Sequence, residues 1–265
     1  MHTVIADLFK EALSRPDRAE PVRGRMDGHD AIDAAGLLAR LGSGALRHPY
    51  FSVFRLDEET QNIPAVETRL IDSVTQSSDF ADVAKVEQAL RTGAFLKFKE
   101  LGQWHRPTRL ILDALARELS AVVSARAYLA QAEKSSMVCR TGGLTCIAQA
   151  SGAAYVRFDA GSDSVAELAY GDLLVLTGGR EVCVETRGES CQLLFQADFP
   201  GRHDYLIGLM AYAVSSNTEL LSRYHTMSLA QRASAARDAL AAAVAELPGE
   251  KLRGLSLSMM RKAIR

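Results

Sequence analysis

Apolar and polar residues follow a helical period in the first third of the chain and again after residue 200. Apolar residues recur there every three or four positions, which places them on one face of a helix. Three helices are predicted in the first third: one from Asp30 through Leu41, one capped by Asp82 and stopped at Gly93, and one over Arg109–Leu119. Two more are predicted in the tail: Tyr205–Leu221, and Leu229–Leu247 behind the capping-box pair Ser228 and Gln231.

Strand patterns fill the middle of the chain. The run AFLKFKEL (94–101) alternates apolar and polar residues and predicts a half-buried strand, and Val122–Leu129 predicts another. Short apolar runs between turn residues then predict six strands: Leu144–Gln149, Ala153–Phe158, Val165–Leu168, Leu173–Leu176, Val182–Glu185 and Cys191–Gln196. Strands at such short intervals are typical of a β-sandwich or barrel.

The order of these elements predicts an α+β fold with a mainly β core. Residues 1–200 are expected to form one domain, with a helical wrap before a barrel core at about 94–199. Residues 201–265 are expected to form a helical tail.

Composition and charge narrow the class of protein. The 265 residues are 48% hydrophobic and 24% charged, as in ordinary globular proteins. Lys and Arg number 31 against 32 for Asp and Glu, so no basic surplus supports nucleic acid as a partner. Uncharged stretches are too short to span a bilayer, and the N-terminus has no secretory signal pattern. We therefore expect a cytoplasmic protein with no membrane partner.

Three stretches of the chain carry a family resemblance through their order and spacing. The first, Asp82–Leu129, runs from a short helix through an apolar strand, a helix and a second strand. The second, Thr145–Phe158, has Gln149 and Gly152 in the turn between two apolar strands, and the third, Val165–Phe199, contains Tyr-Gly-Asp-Leu-Leu. Together they resemble the bacterial JmjC-type cupin oxygenases of the ribosomal-protein-hydroxylase branch. The resemblance implies a cupin-like, double-stranded β-helix barrel.

The same resemblance implies iron(II) and 2-oxoglutarate chemistry at four positions. In that family two histidines and a carboxylate hold the iron, and a lysine holds a carboxylate of 2-oxoglutarate. Counting from the matching turns puts the two histidine positions on Cys139 and Val182 and the carboxylate position on Thr141. The same count puts the lysine position on Ala154. A valine does not ligate a metal, and an alanine does not pair with a carboxylate. We therefore predict no metal and no cofactor.

Four cysteines on the predicted barrel strands leave two interpretations open. Cys139, Cys146, Cys183 and Cys191 can supply a soft-metal site, or they can fill the core as small apolar side chains. Cys139 is also a candidate catalytic nucleophile, because the charge of Arg140 beside it favours the thiolate. No histidine lies among the predicted barrel strands to act as its base.

Five polar residues at predicted strand ends form a candidate ligand site at the mouth of the barrel: Arg140, Gln149, Tyr155, Arg180 and Glu181. The mouth of a small barrel is a usual place for a ligand, and arginines favour an anionic or peptide ligand. The alternative is that these side chains simply face water.

Two classes of function compete. In the first, the barrel is a pseudo-oxygenase, which is a binding or scaffold module for a peptide, a partner protein or a small acid. In the second, it is a divergent cupin enzyme in a specialised biosynthetic pathway, metal-independent or with an unconventional metal set. Loss of the family's metal and 2-oxoglutarate ligands at all four positions favours the first class, a binding or scaffold module.

The tail predicts self-association. Its two helices carry more apolar surface than a capping tail requires, and two-fold dimers are the commonest soluble assembly. We expect a homodimer built through the tail. The basic and apolar segment Lys251–Arg265 is expected to pack on its own protein, rather than on a membrane or an acidic partner.

Overall fold

The structure, a computed structural model, describes residues 1–15, 21–26, 34–57, 61–72, 75–158, 165–216 and 227–263. The chain groups into two compact units, Met1–Leu119 with Val123–Asp198, and Ser120–Val122 with Phe199–Arg265. The helices of the described residues are α1 (His2–Ser14), α2 (Ala34–Gly42), α3 (Val83–Arg91), α4 (Leu101–Trp104), α5 (Arg106–Leu119), α6 (Arg202–Ser216), α7 (Leu229–Glu246) and α8 (Gly249–Ala263).

Two predicted helix caps are confirmed. Asp82 caps α3 by accepting a hydrogen bond from the backbone amide of Lys85 at 3.1 Å. Ser228 and Gln231 form the capping box of α7, where the Ser228 amide donates to the Gln231 side chain at 2.9 Å. The predicted cap Asp30 and the end of the predicted helix at 217–221 lie outside the described residues.

The strands of the described residues are β1 (Val22–Arg25), β2 (Phe51–Phe54), β3 (Leu56–Asp57), β4 (Asn62–Ile63), β5 (Val66–Leu70), β6 (Gln76–Ala81), β7 (Phe95–Phe98), β8 (Val122–Ala130), β9 (Ser135–Arg140), β10 (Leu144–Ser151), β11 (Ala154–Phe158), β12 (Val165–Leu168), β13 (Asp172–Thr177), β14 (Glu181–Thr186) and β15 (Ser190–Asp198). They form a large sheet, β1-β13-β10-β15-β8-β7-β2-β4, a smaller sheet, β12-β11-β14-β9-β3, and the separate hairpin β5-β6.

From β8 onward the chain passes back and forth between the large and the small sheet. Strands β8, β10, β13 and β15 lie in the large sheet, while β9, β11, β12 and β14 lie in the small one. This connectivity is that of a double-sheet, jelly-roll barrel. Side chains from both sheets meet in one buried cluster, which we call the barrel core: Phe54, Phe95, Tyr128, Ala130, Met137, Ile147, Ala154, Val156, Phe158, Ala166, Leu168, Leu174, Leu176, Val182, Val184 and Leu194.

The prediction of a half-buried strand at 94–101 is wrong. All four residues of β7 are buried, including Lys97 at 7% exposure. β7 lies inside the large sheet between β8 and β2, and the ammonium of Lys97 lies 5.6 Å from the ring centre of Tyr128. Alternation therefore indicated the strand but not its burial.

The second unit is built from α6, α7 and α8, and α6 packs against both of the other helices. No helix among the described residues is both long and apolar enough to cross a membrane.

Candidate functional site

Cys139 and Val182 face one another on the inner side of the small sheet. They are direct partners in the antiparallel pairing of β9 with β14. Val182 belongs to the barrel core with no exposed surface, and the half-buried Cys139 packs against that core. The two strands therefore bring together the positions that the family resemblance assigns to two iron-binding histidines, with a thiol and an isopropyl group in their place.

Ala154 belongs to the same barrel core. It is fully buried and is the pairing partner of Thr186 on β14. Its methyl group offers no charge to a carboxylate. The position assigned to the 2-oxoglutarate lysine is thus part of the apolar packing.

Thr141 holds a turn in place. It is 6% exposed, and its hydroxyl accepts a hydrogen bond from the Arg180 amide at 3.0 Å and donates to the Arg180 carbonyl at 3.1 Å. Its own amide donates to the same carbonyl at 2.9 Å. These bonds fix the loop between β13 and β14 against the end of β9.

These residues do not fit an iron and 2-oxoglutarate site. Iron of this class needs two imidazoles and a carboxylate with open positions beside them. Val182 and Ala154 have no donor atom, and the hydroxyl of Thr141 is engaged with backbone. No group of three or more His, Cys, Asp or Glu side chains suited to a metal occurs in the described part of the chain.

The four cysteines are dispersed over the barrel. Cys139 packs on the barrel core, whereas Cys183, one residue further along β14 than Val182, lies on the opposite face of that strand. Cys146 and Cys191 are both fully buried, and burial raises the pKa of the Cys146 thiol to about 12. None of the four forms a disulfide.

The five residues of the predicted ligand site do not come together. Arg140 and Glu181 are exposed partners in the β9–β14 pairing, next to the half-buried Arg180. Tyr155 pairs with Glu185, toward the other end of β14. Gln149 is fully buried.

Gln149 belongs to a buried polar network inside the barrel. Its side-chain amide donates to the Ser151 carbonyl at 2.6 Å and to the Ser190 hydroxyl at 2.8 Å. The Gln192 amide donates to the same hydroxyl at 2.6 Å and to the Gln149 side-chain oxygen at 3.3 Å. Gln149 therefore joins β10 to β15, which is a structural role.

Near Thr141, polar side chains that the sequence did not single out lie against one another. Arg126 donates to the side-chain oxygen of Gln196 at 3.3 Å, and Gln196 donates to Asp198 at 3.0 Å. Gly142 lies directly over Gln196, where a Cβ would come within 2.1 Å of its amide nitrogen. A larger residue at position 142 would require the Gln196 side chain to move.

A polar groove of about 930 Å³ lies at the other rim of the barrel. Three turns line it, with Arg91 and Thr92 after α3, Glu133 and Lys134 before β9, and Arg187 and Gly188 after β14; residues Ala132, Tyr155, Glu185 and Thr186 complete the wall. Tyr155 is the predicted ligand residue that the groove contains. The other lining residues could not be predicted from sequence, because their turns are far apart along the chain.

Comparison with known proteins identifies the fold. No protein-family model matches the sequence, and no curated protein has significant similarity to it. Solved structures are similar to it, and they define the chain as an α+β protein with a JmjC-like cupin barrel, which confirms the predicted fold class.

Among these structures are those of the ribosomal oxygenase YcfD from Escherichia coli. Its complex with cobalt and succinic acid is 13% identical with a TM-score of 0.56, and the match covers 93% of this chain and 69% of that one. Another crystal structure of YcfD is 14% identical with a TM-score of 0.53, covering 91% of this chain and 68% of that one. The complex with cobalt and 2-oxoglutarate is 13% identical with a TM-score of 0.53, covering 79% of this chain but only 56% of that one. The chain thus spans little more than half to about two thirds of the YcfD chain.

Proposed function

We propose that this protein is a pseudo-oxygenase: a JmjC-like cupin that no longer binds iron and 2-oxoglutarate and that serves as a binding or scaffold module. The expected partner is a small acid, a peptide or another protein. The observation that carries this proposal is that Cys139, Ala154 and Val182 all lie in or against one apolar barrel core.

The cost of removing charged groups from water opposes the binding of iron and 2-oxoglutarate in this barrel. A divalent cation and a dicarboxylate are stable inside a protein only where ligands replace their lost water. At the assigned positions Val182 and Ala154 supply no such ligand, and they pack in a barrel core made mostly of aliphatic and aromatic side chains. Two of the YcfD structures, in contrast, are complexes with cobalt and with 2-oxoglutarate or succinic acid.

Metal analysis of the purified protein tests this proposal. We expect no stoichiometric iron after exposure to iron(II), and no turnover of 2-oxoglutarate above that of a protein-free control. About one iron per chain together with 2-oxoglutarate turnover would contradict the proposal.

Restoring the family's ligands gives a matched variant. The triple substitution Cys139→His, Thr141→Asp and Val182→His is expected to gain affinity for iron(II), measured by calorimetry beside the wild type. The gain follows from the direct pairing of Cys139 with Val182, which places two imidazoles on one inner face. A measurable reaction of the wild type that Cys139→Ala abolishes would instead support the second class, a divergent enzyme with a cysteine nucleophile.

A further inference from the structure

The polar groove and the former metal positions lie at opposite ends of strand β14. Thr186 lines the groove, while Val182 lies opposite Cys139 on the same strand. Thr186 lies four positions after Val182, a distance of about 13 Å at about 3.3 Å per residue. The groove is therefore a separate site from the former metal positions.

Two cations in this groove have no acidic partner. Arg91 pairs with Glu87 at 3.2 Å, and Glu185 pairs with Arg157 at 3.6 Å. Neither Lys134 nor Arg187 forms an ion pair with a carboxylate of the described residues. Glu133 also lines the groove, but the two unpaired cations outnumber this one carboxylate, so a net positive charge remains to attract an anion.

An aromatic ring holds one of these cations. The guanidinium carbon of Arg187 lies 5.3 Å from the ring centre of Tyr155, a cation–π contact. The Tyr155 hydroxyl donates to Glu167 at 3.4 Å, which fixes the ring in turn. Because the ring already restricts Arg187, its side chain loses less conformational entropy when a ligand binds.

We propose that this groove binds a small organic acid with two or more carboxylate groups. Lys134 and Arg187 pair with the carboxylates. The volume of about 930 Å³ lies within the range of small-molecule sites. This inference rests on the proposed function and names the class of ligand for it.

Calorimetric titration of the full chain with citrate tests the site. Citrate is expected to bind the wild type and to bind more weakly as salt is raised, while inorganic phosphate and glycerol bind less well. Lys134→Ala and Arg187→Ala are each expected to raise the Kd for citrate by about tenfold. Arg117→Ala is the control and is expected to leave the Kd unchanged, because Arg117 donates to the Asp113 carbonyl of its own helix.

The outcomes separate this inference from the function it rests on. The groove is not a small-acid site if citrate does not bind, or if the acidic peptide hexaglutamate binds and citrate does not. The same conclusion follows if Arg140→Ala abolishes citrate binding and Arg187→Ala does not. None of these results changes the expected lack of iron and of 2-oxoglutarate turnover. Melting temperatures equal to that of the wild type establish that the variants are folded.

Discussion

His105 is a half-buried imidazole whose titration affects stability. Its Nδ1 lies 2.8 Å from the Thr108 hydroxyl, and its ring packs edge-on against Trp104 at 6.0 Å. Burial lowers the pKa of His105 below its ordinary value of 6.5, and the positive charge of Arg40 lowers the pKa further.

The lowered pKa predicts that stability falls in acid. As pH drops below 6.5, His105 takes up a proton in the unfolded chain before it does so in the folded one, so the free energy of unfolding decreases. We expect His105→Gln to lose less stability than the wild type between about pH 7.5 and about pH 5.5. Urea unfolding followed by fluorescence of Trp104, the single tryptophan, measures this. An equal loss in both proteins would contradict it.

The reactivity of each thiol in the native protein tests how deeply that cysteine is buried. The thiolate is the reactive form, and Cys146 has a pKa of about 12 in addition to being fully buried. In the native protein we expect a disulfide reagent to leave Cys146 and Cys191 unmodified and to label the half-buried Cys183. Mass spectrometry of the labelled peptides locates the modification, with the urea-unfolded protein as the control in which all four thiols react. Native labelling of Cys146 at the rate of Cys183 would contradict the packing described above.

At the scale of elements, the crossing of α6 and α8 depends on small residues. A Cβ on Gly208 would come within 2.8 Å of the Ser256 hydroxyl oxygen and 3.2 Å of its backbone nitrogen. Ser256 is itself fully buried and donates to the Leu252 carbonyl at 2.9 Å. The two helices therefore approach with no space for a methyl group.

Alanine substitutions at two helical glycines separate packing from helix propensity. Gly254 also lies in α8 but has open space around its Cβ position, so Gly254→Ala is expected to stabilise the protein by about 0.5–1 kcal/mol. Gly208→Ala gains the same propensity but is expected to destabilise the protein by about 1 kcal/mol or more, because the crossing must open. Thermal unfolding followed by circular dichroism measures both changes. Stabilisation by Gly208→Ala would show that the crossing is loose.

The sequence predicted elements whose signal is local and missed those whose signal is not. Asp82 and the pair Ser228 and Gln231 cap helices through neighbours a few residues away, so their roles are visible in sequence. The hairpin β5-β6 was not predicted, because β5 does not alternate apolar with polar residues.

The candidate site shows the same division between local and distant signals. The family resemblance assigned Cys139 and Val182 to two metal-binding roles by counting from matching turns, and the structure makes these two residues pairing partners on β9 and β14. Such counting could not bring Arg91, Lys134 and Arg187 into one groove, since three separate turns meet there only after the sheets close. It also could not place Gln149 in the interior rather than at the mouth, because a polar residue on a strand faces either side according to register.

For the whole molecule we propose a homodimer built through the tail. The exposed fractions of Leu206, Ile207 and Met210 on α6 are 49%, 37% and 53%. Met210 lies four residues after Leu206 and three residues after Ile207, so its side chain is a neighbour of both on the surface of α6. A second copy of the chain is the occupant we propose, because a two-fold interface lets the same apolar patch cover itself.

The dimer is expected to depend on this patch of Leu206, Ile207 and Met210. The double substitution Leu206→Glu and Met210→Glu places two carboxylates where the patch meets its copy, and desolvating them is unfavourable, so we expect a monomer. Light scattering at micromolar concentration measures the mass, and the wild type is expected at twice the chain mass of 28.7 kDa. Leu110→Glu on α5 is the matched control, because Leu110 is 62% exposed but lies in the other unit, and it is expected to stay dimeric. A monomeric wild type, or a double variant that remains dimeric, would contradict the proposal.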